Sequence, residues 1–411
     1  MRIVADANIP FVQECFSSIA DVEVMSGRDM TPQAIAGADA LLVRSITPVN
    51  EQLLAGSSVR FVGTATIGFD HVDLDYLAQH NIGFASAPGS NANSAAEYII
   101  AALLGLGRLH GIRLEGKSIG VIGVGNVGSR VAAKCEALGM RVLRNDPPLA
   151  RLARSLPVGA GPRARPGQPL GVAPTQSRQA TPEYVPIEAL YDCDFVTFHT
   201  PLTYEGIDKT YHQADEKFFA SLKPGVVLLN ASRGAVVDST ALKQAIAAGR
   251  LRAVALDVWE NEPDIDVELL ELVDLGSPHI AGYSLDGKIA GMIMIYEAVC
   301  RYFGLAPTHR AGDLLPAPAV PRLDLPSDAR DDEAVLAEAV DAVYSIRADD
   351  LALRQIEAEP PPARGRFFDA LRKNYRVRRE FHNTTVVLDD PAGTLAAKLC
   401  GISFAVQGRD A

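Results

Sequence analysis

The sequence predicts an α/β protein built on parallel sheets with helices between the strands, followed by a smaller α+β region. Two observations carry this. One is a run of strand, glycine turn, helix, strand and acid between Glu115 and Asp146. The other is the alternation of short apolar runs with helical segments on both sides of that unit.

In the first unit an apolar run, Ser118 to Ile122, leads into Gly123-Val-Gly125-Asn-Val-Gly128, and a helical segment continues to Leu138. Gly139 stops the helix, Met140 to Leu143 begins a second strand, and Asp146 closes the unit. Gly123 permits a tight turn, Gly125 lets the backbone approach a pyrophosphate, and Gly128 lets the helix pack closely on its strand. The helix start aims free N–H groups and a positive dipole end at phosphates. Asp146 is placed to accept hydrogen bonds from the adenosine ribose. A carboxylate there favours NAD, because it repels the 2′-phosphate of NADP; Arg144 is the neighbour that would act the other way. The plain alternative is a glycine-rich turn in an ordinary α/β unit.

Composition narrows the class. The 411 residues suffice for two or three domains with full cores. Hydrophobic residues at 48% and charged residues at 22% are ordinary for a globular chain. A net charge of −11 gives no electrostatic reason to expect nucleic-acid binding. No apolar run approaches the ~18 residues of a membrane helix, and the first residues lack a signal-peptide pattern. Five scattered cysteines without a CxxC read as a reduced, cytoplasmic chain with no structural zinc site and no other metal.

Before the glycine turn, residues 1 to about 95 carry apolar runs at Ile3–Ala5, Val22–Met25, Ala40–Val43, Val59–Gly63 and Gly83–Ser86. Ligands in such sheets lie beyond the carboxyl ends of strands. The stretches Arg44-Ser45-Ile46-Thr47 and Thr64-Ala65-Thr66-Ile67-Gly68 therefore offer hydroxyls and amides to an anionic substrate, though each alone is polar loop chemistry. An Ala/Leu-rich helix from Ser94 to Leu109 is apolar nearly all round and reads as a buried connector.

After the turn, residues 149 to 185 are crowded with Pro, Gly, Arg and Gln and read as a flexible inserted loop. Pattern returns at Ile187. Strands are expected at Phe195–Phe198 and Ala253–Val258, and helices near Asp215–Ser221 and over Ser239–Ala248. A helix from about 284 to 304 returns the chain to the first sheet. Pro307 to Pro326 reads as a linker. Beyond it come an acidic helix, Asp331–Ser345, and strands Thr384–Leu388 and Ile402–Val406. The basic stretch Arg364, Arg366, Arg372, Lys373, Arg376, Arg378 and Arg379 reads as a helix face with interface ion pairs.

Three ionisable residues fall beyond strand ends: Arg233, Glu262 and His279. Together they supply what hydride transfer at a 2-hydroxy acid requires. His279 takes the hydroxyl proton as general base. Glu262 hydrogen-bonds the other ring nitrogen and stabilises the charged form. Arg233 grips the substrate carboxylate in a fork and polarises the C2 oxygen.

The segments NASRGAVVD, LDVWENEP and SPHIAGYS, with GVIGVGNVGSRVAAKCEALGMRV, resemble the D-isomer-specific 2-hydroxyacid dehydrogenase family. The resemblance covers residues 1 to about 305, apart from 149–185. It implies two Rossmann-like doubly wound parallel-sheet domains with NAD in the cleft between them, and matches the family's Arg, Glu and His to Arg233, Glu262 and His279. A substrate domain is expected over 1–95 plus about 285–306, and an NAD-binding domain over 96–284. The segments MRIVADANIP, VRSITPVN, VGTATIGFDHVD and FFDALRKNYRVRREF resemble a branch acting on a phosphorylated four-carbon hydroxy acid. That resemblance implies a carboxyl-terminal dimerisation domain (327–411), and hence a homodimer. It places Ser45, Thr66 and Tyr283 at substrate, and Asn126, Val127, Asp146, Thr200, Ala231, Ser232, Arg233, Asp257 and Gly282 at NAD. Arg44 is a further candidate for the substrate phosphate. Phe69 departs from the expected pattern, setting a ring where a small residue is expected. Rival readings are a dehydrogenase for another hydroxy acid such as 3-phosphoglycerate, or a non-catalytic NAD-sensing scaffold.

Overall fold

The computed structural model describes residues 1–155, 183–325 and 331–409. Its first sheet is parallel, with strands β1 (Arg2–Asp6), β2 (Asp21–Met25), β3 (Ala40–Val43), β4 (Phe61–Thr64) and β5 (Gly83–Ala85) in the order β2-β1-β3-β4-β5. The crossovers carry short helices: α1 (Val12–Phe16), α2 (Pro32–Ile35), α3 (Glu51–Leu54) and α4 (Leu74–Gln79). β3 and β4 are buried along their whole length, as continuous apolar runs in a doubly wound sheet must be. The strand order reverses between β1 and β3, the position where doubly wound sheets place ligands, and Asn8 and Arg44 follow these two strands.

α5 (Ala92–His110) follows, and nearly all of its first thirteen positions are buried. It stops at Gly111, whose φ of +64° makes a left-handed cap.

The second sheet is also parallel. It comprises β6 (Ser118–Ile122), β7 (Arg141–Asn145), β8 (Phe195–Phe198), β9 (Val226–Asn230), β10 (Leu251–Leu256) and β11 (Leu275–Gly276), in the order β11-β10-β9-β8-β6-β7. Its helices are α6 (Asn126–Ala137), α7 (Pro147–Ser155), α8 (Glu216–Ser221), α9 (Ser239–Ala247) and α10 (Val267–Leu272). The direction of winding switches between β6 and β8, and the glycine turn leaves β6 at that point. α11 (Leu285–Phe303) then crosses back, and Ile289, Met292, Tyr296 and Val299 bury against the first sheet.

Two expectations are corrected. The start of the presumed loop, residues 149–155, is helical and lies within α7, where Asp146 Oδ1 accepts from the Leu149 N–H at 2.9 Å and so starts the helix. Residues 156–182 of that loop lie outside the described residues. The presumed linker also ends in structure. Arg322–Asp324 forms β12, which pairs in parallel with β13 (Thr385–Leu388), and β13 pairs with β14 (Ala405–Gly408).

Around that third sheet lie α12 (Asp332–Val343), α13 (Ile346–Arg354), α14 (Pro361–Lys373) and α15 (Thr394–Gly401). This carboxyl-terminal unit is not free-standing. Leu336, Val340, Phe381, Leu399 and Ile402 share one apolar core with Ile99, Leu103 and Val131 of α5 and α6. Lys134, nearly buried in α6, donates to the Ile402 carbonyl at 2.9 Å, so even its charge is capped by the third sheet's neighbourhood. Among the described residues no helix is long and apolar enough to cross a membrane.

Candidate active site

The carboxyl ends of the second sheet's strands carry the site. The glycine turn takes the form its residues predict. Gly123 has φ of +84°, a conformation a side chain would strain, and its own added Cβ would meet the His199 carbonyl at 2.8 Å. A Cβ on Gly125 would meet nothing within 4 Å, which leaves its face open for a ligand. A Cβ on Gly128 would lie 1.9 Å from the Gly123 carbonyl oxygen, so helix and turn touch there. Overpacking of this kind costs about 1–3 kcal/mol. Gly128→Ala is therefore expected to lower both the melting temperature and the NAD affinity. An unaltered melt and Kd would contradict the close approach.

A cavity of about 990 Å³ opens beside this turn, lined by Gly123, Gly125, Asn126, Asp146, Tyr184 and Thr200 among others. Asn126 begins α6, with Val127 next, so their amides point along the helix axis at the cavity. Asp146 accepts from the Val124 N–H at 2.9 Å through its second oxygen, tying the acid to the glycine turn. Arg144 does not compete for a phosphate: it pairs with Glu136 at 2.7 Å. Arg151 lines the cavity but is committed to an ion pair with Asp208. Thr200 Oγ1 is buried without a partner among the described residues, and so is Nδ1 of His199. Burial pushes His199 down to about 3, so its ring is a neutral wall. Orphaned donors and acceptors on a cavity wall suit a dinucleotide, which would satisfy them.

The three catalytic candidates converge farther along the same edge. His279 Nδ1 lies 2.7 Å from Glu262 Oε2, and the other Glu262 oxygen accepts from the Trp259 N–H at 2.9 Å. Burial raises the proton affinity of Glu262, but the charge and hydrogen bond of His279 outweigh it and hold the carboxyl below its usual range. Nδ1 being occupied, Nε2 is the nitrogen left to exchange a proton with a ligand. Arg233 follows β9, on a turn shaped by Asn230, whose side chain accepts from Ser232 N–H and Oγ at 3.0 and 2.8 Å. Ala231 is half-buried on the same turn. The next residue must be glycine, because a Cβ on Gly234 would strike the Trp259 carbonyl at 1.9 Å. Arg233 reaches across the crevice to the first domain: its Nη2 would lie 2.8 Å from a Cβ on Gly68, and Asp70 is 3.9 Å away.

Asp257 has a part the sequence does not disclose. It is buried, and its oxygens accept from Ser277 Oγ at 2.6 Å and from the N–H groups of Ile280 and Ala281 at 2.8 and 2.9 Å. These bonds clamp the loop that holds His279 at φ of +57°, a strained conformation for a residue with a side chain. Gly282 is required on the same loop, since a Cβ there would hit Asn91 Nδ2 at 2.1 Å.

From the first domain, Thr66 Oγ1 donates to the Gly68 carbonyl at 2.8 Å and lies 2.7 Å from Thr64 Oγ1. Ser45 is exposed at the end of β3, and Arg44 beside it donates to the Asn8 carbonyl at 3.2 Å. Phe69 is 42% exposed and packs edge-on against Phe84 at 5.9 Å. Tyr283 sits half-buried with Lys288 Nζ 4.6 Å above its ring. Of the basic stretch, Arg364, Arg366, Arg372 and Lys373 lie on the helix α14 as expected, whereas the last two arginines are turned inward. Arg378 and Arg379 are buried, Arg379 paired with Asp286 at 2.9 Å, and Arg372 approaches the Tyr283 ring within the same chain.

A nucleotide crevice at a winding switch, with guanidinium, carboxylate and imidazole at its far end, defines a dinucleotide-dependent oxidoreductase. Residues 101–156 and 169–281 match the family described as D-isomer specific 2-hydroxyacid dehydrogenase, NAD binding domain. Residues 314–400 match a domain of unknown function. Two curated relatives named erythronate-4-phosphate dehydrogenase are each 42% identical, covering 98% of both chains: one from Escherichia coli O1:K1 over 405 residues, one from Cronobacter sakazakii over 404. Among solved structures, D-lactate dehydrogenase of Aquifex aeolicus with NAD and lactic acid superposes with a TM-score of 0.58 at 23% identity, over 74% of this chain and 95% of that one. The Escherichia coli D-lactate dehydrogenase gives 0.57 at 21%, over 75% and 98%. The chain belongs to the D-isomer specific 2-hydroxyacid dehydrogenase family. It is an NAD-dependent oxidoreductase, and the match skips residues 157–168, within the stretch read as an insertion.

Proposed function

We propose that the protein oxidises 4-phospho-D-erythronate to (R)-3-hydroxy-2-oxo-4-phosphooxybutanoate with NAD, a step of vitamin B6 synthesis. The single observation that carries the chemistry is the 2.7 Å contact between His279 and Glu262 at the edge facing Arg233 and the first domain. The 42% identity over nearly the full chain carries the choice of substrate.

His279 Nε2 accepts the C2 hydroxyl proton, and the charge that develops on the ring is balanced by Glu262. Arg233 holds the substrate carboxylate and draws electron density from the C2 oxygen. Thr66, Ser45 and Tyr283 supply the remaining polar contacts, and Asp257 keeps the His279 loop in register. NAD, when bound, supplies the hydride acceptor. Gly123, Gly125, Asn126, Val127 and Gly128 would hold its pyrophosphate and Asp146 its ribose. Thr200, Ala231, Ser232, Asp257 and Gly282 would line the path to the nicotinamide. The enzyme works in the cytoplasm, a reading supported by its five unpaired cysteines, and as a homodimer, which the resemblance of its carboxyl-terminal segment implies.

The test is a spectrophotometric assay of NADH formation with 4-phosphoerythronate, 3-phosphoglycerate, D-lactate and D-glycerate. The phosphoerythronate should give the highest kcat/KM. A preference for 3-phosphoglycerate would overturn the substrate, and no turnover of any acid with intact NAD binding would favour a non-catalytic NAD sensor.

A further inference from the structure

The substrate named above carries a phosphate dianion in addition to the carboxylate that Arg233 takes. Two other cations flank the Tyr283 ring, Lys288 and Arg372, and a third, Arg44, acts electrostatically on Lys288; among the described residues the one carboxylate paired with any of the three is Asp369, beside Arg372. Lys288, in the first turn of α11, lies over the ring at 4.6 Å and makes no ion pair among the described residues. Arg372, on α14, approaches the same ring at 5.8 Å. Its Nε is buried without a hydrogen-bond partner among the described residues, and Asp369, 4.0 Å from Arg372 Nη1, is shared with Arg28. Arg44, at the end of β3, donates to the neutral Asn8 carbonyl and makes no ion pair among the described residues.

Such an arrangement is unfavourable by itself. A lysine near a helix start faces the positive dipole end, and like charges raise one another's cost. Burial, then Arg44 and Arg378, bring Lys288 down to about 8. A bound dianion removes all three penalties together. Glu262 is the other nearby acid, and it is already engaged by His279 and Trp259.

We propose that Arg44, Lys288 and Arg372 form the seat for the substrate phosphate, drawn from the first domain, the returning helix and the carboxyl-terminal unit, with the Tyr283 ring spacing the last two. This rests on the phosphorylated-acid reading above. With Arg233 holding the carboxylate, the spacing between that fork and this seat would select the length of the acid. Cation–ring contacts hold Lys288 and Arg372 in place. The groups acting on Lys288 are the Tyr283 ring just before its own helix, Arg44 after β3, and Arg378 from the carboxyl-terminal unit.

Lys288→Met should raise KM for 4-phosphoerythronate by about 10- to 100-fold, the loss of one charge-assisted contact, with a smaller effect on kcat. Its effect on unphosphorylated D-erythronate should be less by about tenfold or more. Lys288→Arg should restore most of the loss. Wild-type kcat/KM for the phosphorylated acid should fall as pH rises through about 8, where Lys288 discharges, and Lys288→Arg should abolish that fall. Equal losses on the two acids, or no change in KM, would overturn the seat. Calorimetric titration of inorganic phosphate into the NADH complex separates this from the substrate reading. Phosphate binding that weakens in Lys288→Met upholds the seat even if phosphoerythronate is not turned over. Undiminished phosphate binding by that variant rejects it even if it is.

Discussion

Replacing His279 by Asn is expected to reduce kcat by roughly 10³-fold, within the range of a lost general base, while NAD binding stays intact. The ring nitrogen facing Glu262 is replaced by an amide of similar reach, so the loop clamped by Asp257 has no reason to collapse. The remaining nitrogen, the one that exchanges the proton, is lost. Single-turnover kinetics with pre-bound NAD check this directly. Unchanged chemistry, with the deficit confined to NAD affinity, would remove His279 from the reaction. The partner acid gives a pH signature. Glu262 sits below its usual range because of His279, despite burial. Its contribution to stability is therefore fully present above the ordinary glutamate range and is lost as pH falls through the lowered value. The acid limb of the melting profile should flatten in Glu262→Gln.

Arg233→Lys should cost ~10²-fold or more in kcat/KM, by misplacement and a weaker hold on the carboxylate. An ammonium keeps the charge but loses the planar fork. It also cannot both donate to the Ser232 carbonyl, as Nη1 does at 2.8 Å, and present a pair of donors to substrate. The loss should fall on every 2-hydroxy acid alike. That pattern separates Arg233 from Lys288, whose loss should follow the phosphate. Near-normal kinetics for Arg233→Lys would assign the carboxylate to another group.

Much of this was legible because the signals are local. Gly123, Gly125 and Gly128 are dictated by contacts within one turn, and Asp146 by the strand beside it. Arg233, Glu262 and His279 each follow a strand end directly, so a parallel sheet brings them to one edge whatever the intervening loops do. Lys288 and Arg372 were less accessible. Their meaning depends on α11 and α14 meeting at Tyr283, a tertiary fact. One trace was present: a lysine in the opening turn of a largely apolar helix, where the dipole disfavours it. The bracing by Asp257 left no trace, because an acid after a strand suits a cofactor contact equally well. Proline content concealed β12, whose three residues are stabilised by pairing with β13 rather than by their own propensity.

The grip of Arg379 on Asp286 limits how this molecule can breathe. Asp286 opens the helix that belongs to the first sheet, while Arg379 belongs to a tail whose core is fused to the second. Glu380 beside it accepts from Ser94 at 2.7 Å and Ser284 at 3.0 Å, at the two junctions the chain makes between the halves. Separating the halves would break this buried ion pair together with both bonds of Glu380. The tail thus fastens the two halves to each other at the points where the chain passes between them.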